Sequence, residues 1–167
     1  MKKIIFICLI VFLSFSCQQK QEPVDKDLAK AEISEVLDNM HDDFAGLDVD
    51  GYTGYLTDDG IFCGTDESEF WDKAELRKQM AAMPDSIHEL SFPLDKREIR
   101  LSADGKSAFA IEQYLKTTMF GPNLPIRIDY HLLKINDAWM VDVITMNFIP
   151  YNEDLPTIIN ALGKEKE

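Results

Sequence analysis

Residues 125–148 read PIRIDYHLLKINDAWMVDVITMNF. Apolar and polar side chains alternate on both sides of Asn136-Asp137, the period of two that marks half-buried strands. The pair in the middle suits a tight turn, so the stretch predicts strands at 125–135 and 138–148. Counting back from that turn sets Ile135 against Ala138, Leu132 against Val141, Tyr130 against Val143 and Ile128 against Thr145. Their apolar majority marks the core face. Arg127, Asp129, His131 and Asp142 then share the outer face, as a surface charge ladder rather than a catalytic dyad. Met140, Ile144, Met146 and Phe148 fall on that outer face too, apolar enough to bury against another chain.

Upstream, Ala103-Asp104-Gly105-Lys106 is a second hairpin signal, with Asp-Gly suited to a type I′ turn. It predicts strands at about 88–101 and 106–119, with Leu101 opposite Ala108 and Ile99 opposite Ala110; residues 120–125 are a loop. Glu112 and Tyr114 lie two and four residues beyond Ala110. If Ile99 and Leu101 point inward, so do they; a bulge would instead expose Glu112. An inward carboxylate must find hydrogen-bond partners or titrate high, which makes Glu112 the best candidate for a functional or catalytic group.

The first half has a different period. Leu28, Ala31, Ile33, Val36, Leu37, Met40, Phe44 and Leu47 are spaced by the threes and fours of an amphipathic helix. His41 stands at the edge of that stripe, either a satisfied half-buried residue or one lining a pocket. A short helix at 50–56 presents Tyr52 and Tyr55. Gly60–Cys63 reads as a strand, and Gly64-Thr65-Asp66 as a turn. Asp72-Lys73-Ala74-Glu75 has capping-box form and opens a helix to Met83, which Pro84 ends. A last helix is expected over 155–162, stopped by Gly163. Helices followed by an antiparallel run of strands define an α+β domain with helices on one sheet face.

The start of the chain carries an address. Lys2-Lys3, ten uncharged residues from Ile4 to Leu13, and small residues before Cys17 form a secretory signal, too short to span a bilayer. Ser14-Phe15-Ser16-Cys17 resembles a bacterial lipobox, which implies lipidation of Cys17. Gln at position 18 implies the outer rather than the inner membrane of the cell envelope. Residues 1–16 are then the signal peptide, 17–26 a lipidated Cys with a polar tether, and 27–167 the domain. Removing Lys2 and Lys3 takes the formal net charge from −13 to −15. That charge excludes nucleic-acid binding, which needs cationic side chains, and leaves membrane contact to the lipid alone. Cys63, the last thiol, has no partner for a disulfide and reads as a small buried hydrophobe. Asp48-Val49-Asp50-Gly51 starts like a calcium loop, but Tyr52 and Thr53 occupy its fifth and sixth positions, so no metal is implied. No cofactor is implied either.

Tyr55 before Asp58-Asp59-Gly60, Phe62-Cys63-Gly64-Thr65-Asp66 followed by Trp71, and the closing Ala138-Trp139-Met140-Val141 resemble the SnoaL-like branch of the nuclear transport factor 2-like superfamily. The resemblance covers about 27–148. It implies a cone: a strongly curved mixed or antiparallel sheet, helices on its concave face, and a pocket between them. By position, His41, Tyr55, Phe62, Trp71, Glu112, Tyr114 and Tyr130 would line that pocket. Catalytic members use an inward Asp or His with a Tyr or acid as oxyanion donor; this chain offers Glu112 or His41 with Tyr55, Tyr114 or Tyr130, but no Asp–His pair on the core face. Three roles follow: binding a small, partly apolar molecule; proton transfer as an isomerase, dehydratase or cyclase; and pairing as a homodimer through the sheet. The missing pair favours the first.

Overall fold

The computed structural model describes residues 24–84, 86, 92–118 and 124–163. The signal peptide, Cys17 and most of the tether lie outside the described residues, as do 87–91 and 119–123 of the expected strands and loop. The elements are α1 (Lys26–Ala45), α2 (Val49–Gly54), β1 (Leu56–Cys63), β2 (Phe70–Asp72), α3 (Lys73–Ala81), β3 (Lys96–Leu101), β4 (Ser107–Tyr114), β5 (Ile126–Ile135), β6 (Ala138–Phe148) and α4 (Leu155–Leu162). Six strands form one curved mixed sheet in the order β2-β1-β6-β5-β4-β3. β1 runs parallel to β6, and the other neighbours are antiparallel.

Local chemistry sets the helix ends. The Asp25 carboxylate accepts from the Asp27 and Leu28 amides and starts α1. Asp72 accepts from the Glu75 amide at 2.8 Å and starts α3, half of a capping box; Glu75 itself turns to Lys78 and Gln79. Ala29, Ile33, Leu37 and Met40 form the buried stripe of α1, one residue per turn, while Leu28 is left exposed. They pack on Ile99, Ala110, Leu132, Val141 and Ile144 of the sheet. At the far end, Glu32 accepts from Trp139 Nε1 at 3.0 Å and from Lys134 Nζ at 3.1 Å, and so fixes α1 over the β5–β6 turn.

The register of β3 on β4 is the expected one, with Leu101 opposite Ala108 and Ile99 opposite Ala110. The turn differs. Gly105 alone has positive φ (68°) there, and its amide bonds the Ser102 carbonyl. The Asp104 carboxylate accepts from Ser102 Oγ and the Lys106 amide, so it closes the loop without Asp104 entering the left-handed region. It is Asn136 and Asp137, with φ of 49° and 65°, that have the backbone of a type I′ turn.

The β5–β6 register is corrected. Ile135 faces Ala138 and Leu132 faces Val141, but the register then slips, and His131 faces Val143, Tyr130 faces Ile144 and Ile128 faces Met146. Asp142 is the extra residue of a β-bulge. One added residue exchanges the faces of everything beyond it, so Ile144 and Met146 turn to the core side and Thr145 does not. Phe148, opposite Ile126, changes face with them, so the apolar outer face expected from Met140, Ile144, Met146 and Phe148 loses three of its members. His131 Nδ1 still meets Asp142 Oδ2 at 2.7 Å across the bulge, on the outer face with Asp129.

Two turn substitutions should act in opposite directions. Gly105→Ala adds a Cβ that would meet Val24 Cγ2 at 2.5 Å and places a side chain at positive φ, so it should cost more than about 1 kcal/mol. Asp137→Gly removes a side chain at positive φ and should gain about 0.5 kcal/mol. Urea unfolding of both variants reads the two signs.

Candidate functional site

The inward side chains of β4 and β5 converge on the C-terminal half of α1. Glu112 is opposite Arg97 of β3, at the position next inward after Ile99 and Leu101. Its side chain has no solvent exposure at all. Arg97 Nε donates to Glu112 Oε1 at 2.5 Å, and the Tyr114 hydroxyl donates to Oε2 at 2.5 Å. His41 Nε2 lies 3.0 Å from the same Oε2, 3.0 Å from Tyr130 Oη and 3.1 Å from Tyr114 Oη. The rest of the guanidinium is used on α1: Nη1 donates to the Ser34 carbonyl at 3.2 Å and Nη2 to Asp38 at 2.7 Å.

Burial pushes the Glu112 carboxyl up, but hydrogen bonds from His41 and Tyr114 and the nearby charges of His41 and Arg97 outweigh it and hold the group below its ordinary range. Burial also pulls the Arg97 guanidinium down, and the bonds and charges of Asp38 and Glu112 more than restore it. The hydroxyls of Tyr52, Tyr114 and Tyr130 are all pushed up, first by burial and then by the Glu112 charge. The site is thus a buried ionised carboxylate surrounded by donors. A general base poised near neutrality needs a raised carboxyl pKa; Glu112 is displaced the other way.

Next to this cluster is a cavity of about 420 Å³. His41, Asp42, Tyr114 and Tyr130 are among its polar lining residues, and Phe44, Tyr52, Phe92, Ile128 and Met146 supply most of the apolar wall. His41, with its side chain 30% exposed, is more open to solvent than Arg97 or Glu112. The structure therefore brings together four of the seven expected lining residues: His41, Tyr114 and Tyr130 on the cavity, and Glu112 directly behind them.

The other three lie elsewhere. Tyr55 closes α2 and borders a second hollow of about 530 Å³ with Glu35, Gly54 and Trp139. Phe62 and Trp71 are cross-strand partners on β1 and β2, their rings stacked with centroids 5.4 Å apart and 16° between planes. They buttress the short edge strand and do not border the 420 Å³ cavity. Behind them Gly64 gives room to Glu69, whose carboxylate accepts from the Thr65 and Asp66 amides and shapes the preceding turn.

Arg97, Tyr52 and Met146 are missing from the sequence-based set. Arg97 was within reach of the hairpin count, since pairing Ile99 with Ala110 places Arg97 opposite Glu112. Met146 was hidden by the bulge. Among the described residues no group of three or more His, Cys, Asp or Glu side chains could hold a metal ion, and burial raises the Cys63 thiol above its ordinary value.

A curved six-stranded sheet with helices over one face and a cavity between them defines an α+β cone. A family model described as a SnoaL-like domain matches residues 33–142, and the chain belongs to that family. Solved structures share the fold. A protein of unknown function of the DUF3225 family from Pectobacterium atrosepticum is 16% identical, with a TM-score of 0.63 over 76% of this chain and 95% of that one. A nuclear transport factor 2-like protein of unknown function from Pseudomonas putida is 13% identical, with a TM-score of 0.59 over 77% and 92%. A ketosteroid isomerase-like protein from Erwinia carotovora atroseptica is 18% identical, with a TM-score of 0.55 over 77% and 100%. Likeness at these identities is likeness of fold, which hosts many functions. No curated protein matches the sequence.

The Glu112 displacement has a pH consequence. A carboxyl lowered on folding contributes stability above its ordinary value of 4.5 and loses it as pH falls through the folded value. Glu112→Gln should remove that part of the acid dependence. It should also cost about 3 kcal/mol at pH 7, because Arg97 keeps a buried charge without its carboxylate. Urea titrations of both proteins at several pH values between 3 and 7 (about the range of the carboxyl transition) measure both effects.

Proposed function

We propose that this SnoaL-like domain is a cell-envelope binding protein that holds a small, partly apolar molecule in the 420 Å³ cavity. One observation carries the reading: a largely aromatic and aliphatic chamber whose few polar lining residues include His41, Tyr114 and Tyr130, backed by a buried carboxylate already engaged by Arg97, His41 and Tyr114. Cavities of this size and lining suit small ligands. The same observation weighs against the proton-transfer role, because a base must reach the proton it takes from substrate. Glu112 has no exposed surface, each of its oxygens already accepts a hydrogen bond, and the carboxyl is held low.

The envelope address rests on the Lys2-Lys3 start, the ten-residue apolar run and the Ser14-Phe15-Ser16-Cys17 motif. Cys17 is the proposed lipid carrier, and the polar residues after it the tether. Outer-membrane placement follows from Gln18. Expressed in a Gram-negative host with labelled palmitate, the chain should carry label in the membrane fraction. Cys17→Ala should leave it unlabelled; label in that variant, or none in the wild type, would sink the anchor.

For the cavity, the purified protein should carry a non-covalent adduct in native mass spectrometry or bind an apolar fluorescent probe. Met146→Trp fills the chamber from β6 and should weaken probe binding at least tenfold (on the order of 1.4 kcal/mol) with little change in fold. Equal binding by that variant would place the probe elsewhere. A turnover that Glu112→Gln abolishes while the fold survives would overturn the binding reading in favour of the enzyme.

A further inference from the structure

The cavity lies at the C-terminal end of α1, and that end is electrically unbalanced. His41, Asp42, Phe44 and Ala45, from the close of the helix, border the chamber. The aligned peptides of a long helix place about half a negative charge at its C-terminus, where a lysine or arginine is the stabilising complement. The last turn of α1 has no basic residue and carries Asp42 and Asp43 instead. The Asp42 carboxylate forms no ion pair among the described residues.

The cations nearby are already answered. Arg97 is paired with both Glu112 and Asp38. His41 is 3.0 Å from Glu112 Oε2, so a protonated His41 brings that group only to neutrality, and Asp42 stays uncompensated in either state. No Lys or Arg is among the described residues bordering the cavity. The wall beside the helix end is aromatic: the Phe44 ring meets those of Tyr52 and Phe92, each with centroids 5.8 Å apart. Ring faces attract cations, and a chain charge of −13 attracts them from further off.

We propose that the cavity takes an organic cation, a substituted ammonium with an apolar body. Its charge is held by the last turn of α1, Asp42 and the rings of Phe44, Tyr52 and Phe92, and its body lies against Ile128 and Met146. This rests on the binding reading above and names the chemical class of the ligand. A neutral apolar molecule gains nothing from the helix end or from Asp42. An anion is repelled by both and meets no free cation. A quaternary ammonium has no N–H, so its recognition depends on charge and ring contact, whatever the orientation of the tyrosine hydroxyls.

The test uses three probes with one phenol body and tetrahedral heads of similar size: (4-hydroxyphenyl)trimethylammonium, 4-tert-butylphenol and 4-hydroxybenzenesulfonate. Each is titrated into the purified protein at neutral pH, and the Met146 methyl signal is followed by NMR. The ammonium should bind about tenfold more tightly than its tert-butyl isostere, the joint effect of the rings and the helix end. The sulfonate should bind weakest. Asp42 is exposed, so Asp42→Asn should keep the fold; it should weaken the ammonium about threefold and leave the tert-butyl compound unchanged. Phe92→Leu keeps an apolar wall without its ring and should weaken the ammonium more than the isostere. A tert-butyl compound or sulfonate that binds as tightly as the ammonium would overturn the inference and leave the binding reading standing. An ammonium affinity that neither variant changes would do the same. Failure of all three probes to perturb Met146 would overturn both.

Discussion

A carboxylate at zero exposure organises this molecule. Removing a charge from water costs several kcal/mol, which only good geometry and full hydrogen bonding offset. Glu112 meets that demand with donors from three elements: Arg97 from β3, Tyr114 beside it on β4 and His41 from α1. Arg97 then reaches Ser34 and Asp38, so the same ion pair also binds the middle of α1 to the sheet edge. The apolar stripe of α1 would pack on many sheets. It is the polar cluster at one end, with Glu32 on Trp139 and Lys134 at the other, that fixes where the helix lies. The cavity occupies the space left where α1, held there, passes over Tyr114, Ile128 and Met146.

Much of this was legible in the sequence because it depends on spacing. The helical period gave α1, and Asp72 gave the start of α3. Counting from Asp104-Gly105 gave the true β3–β4 register, and with it the inward placement of Glu112 and Tyr114. The same count contained Arg97, but an arginine on an edge strand reads as a surface residue until its partner is known to be buried. Tyr130 survived a wrong register because its own strand alternates without interruption. Met146 did not survive, because a bulge at Asp142 leaves no signal in a pattern where Val141, Val143 and Ile144 are equally apolar. β2 has three residues and makes only a short pairing with β1, too little for any period to show. Phe62 and Trp71 stood out only through the family resemblance, and nothing in their spacing tells whether they line a chamber or stack to prop an edge.

The cluster also shows why the family's fold says little about activity. An inward acid beside a tyrosine has the ingredients of proton transfer, and in a composition-level reading Glu112 qualifies. Adding its neighbours reverses its character. His41 first, then Tyr114 and Arg97, hold the carboxyl ionised, so it serves as a fixed acceptor for those three side chains. Without them, the same buried acid would be raised by desolvation and free to exchange protons. Within this architecture, the donors around the acid decide between an acid–base group and a structural anchor.

The bulge at Asp142 connects the two faces of the sheet. By turning Ile144 and Met146 inward it supplies part of the core and of the cavity wall, and it leaves Asp142 on the outer face, bonded to His131 at 2.7 Å. The inner face needs that extra residue: without it Thr145 would replace Met146 opposite Ile128, putting a hydroxyl where the chamber is apolar. The outer pair braces the distortion by tying the bulged residue to the neighbouring strand. The chamber's apolar character therefore depends on the backbone at Asp142, a residue that does not touch it.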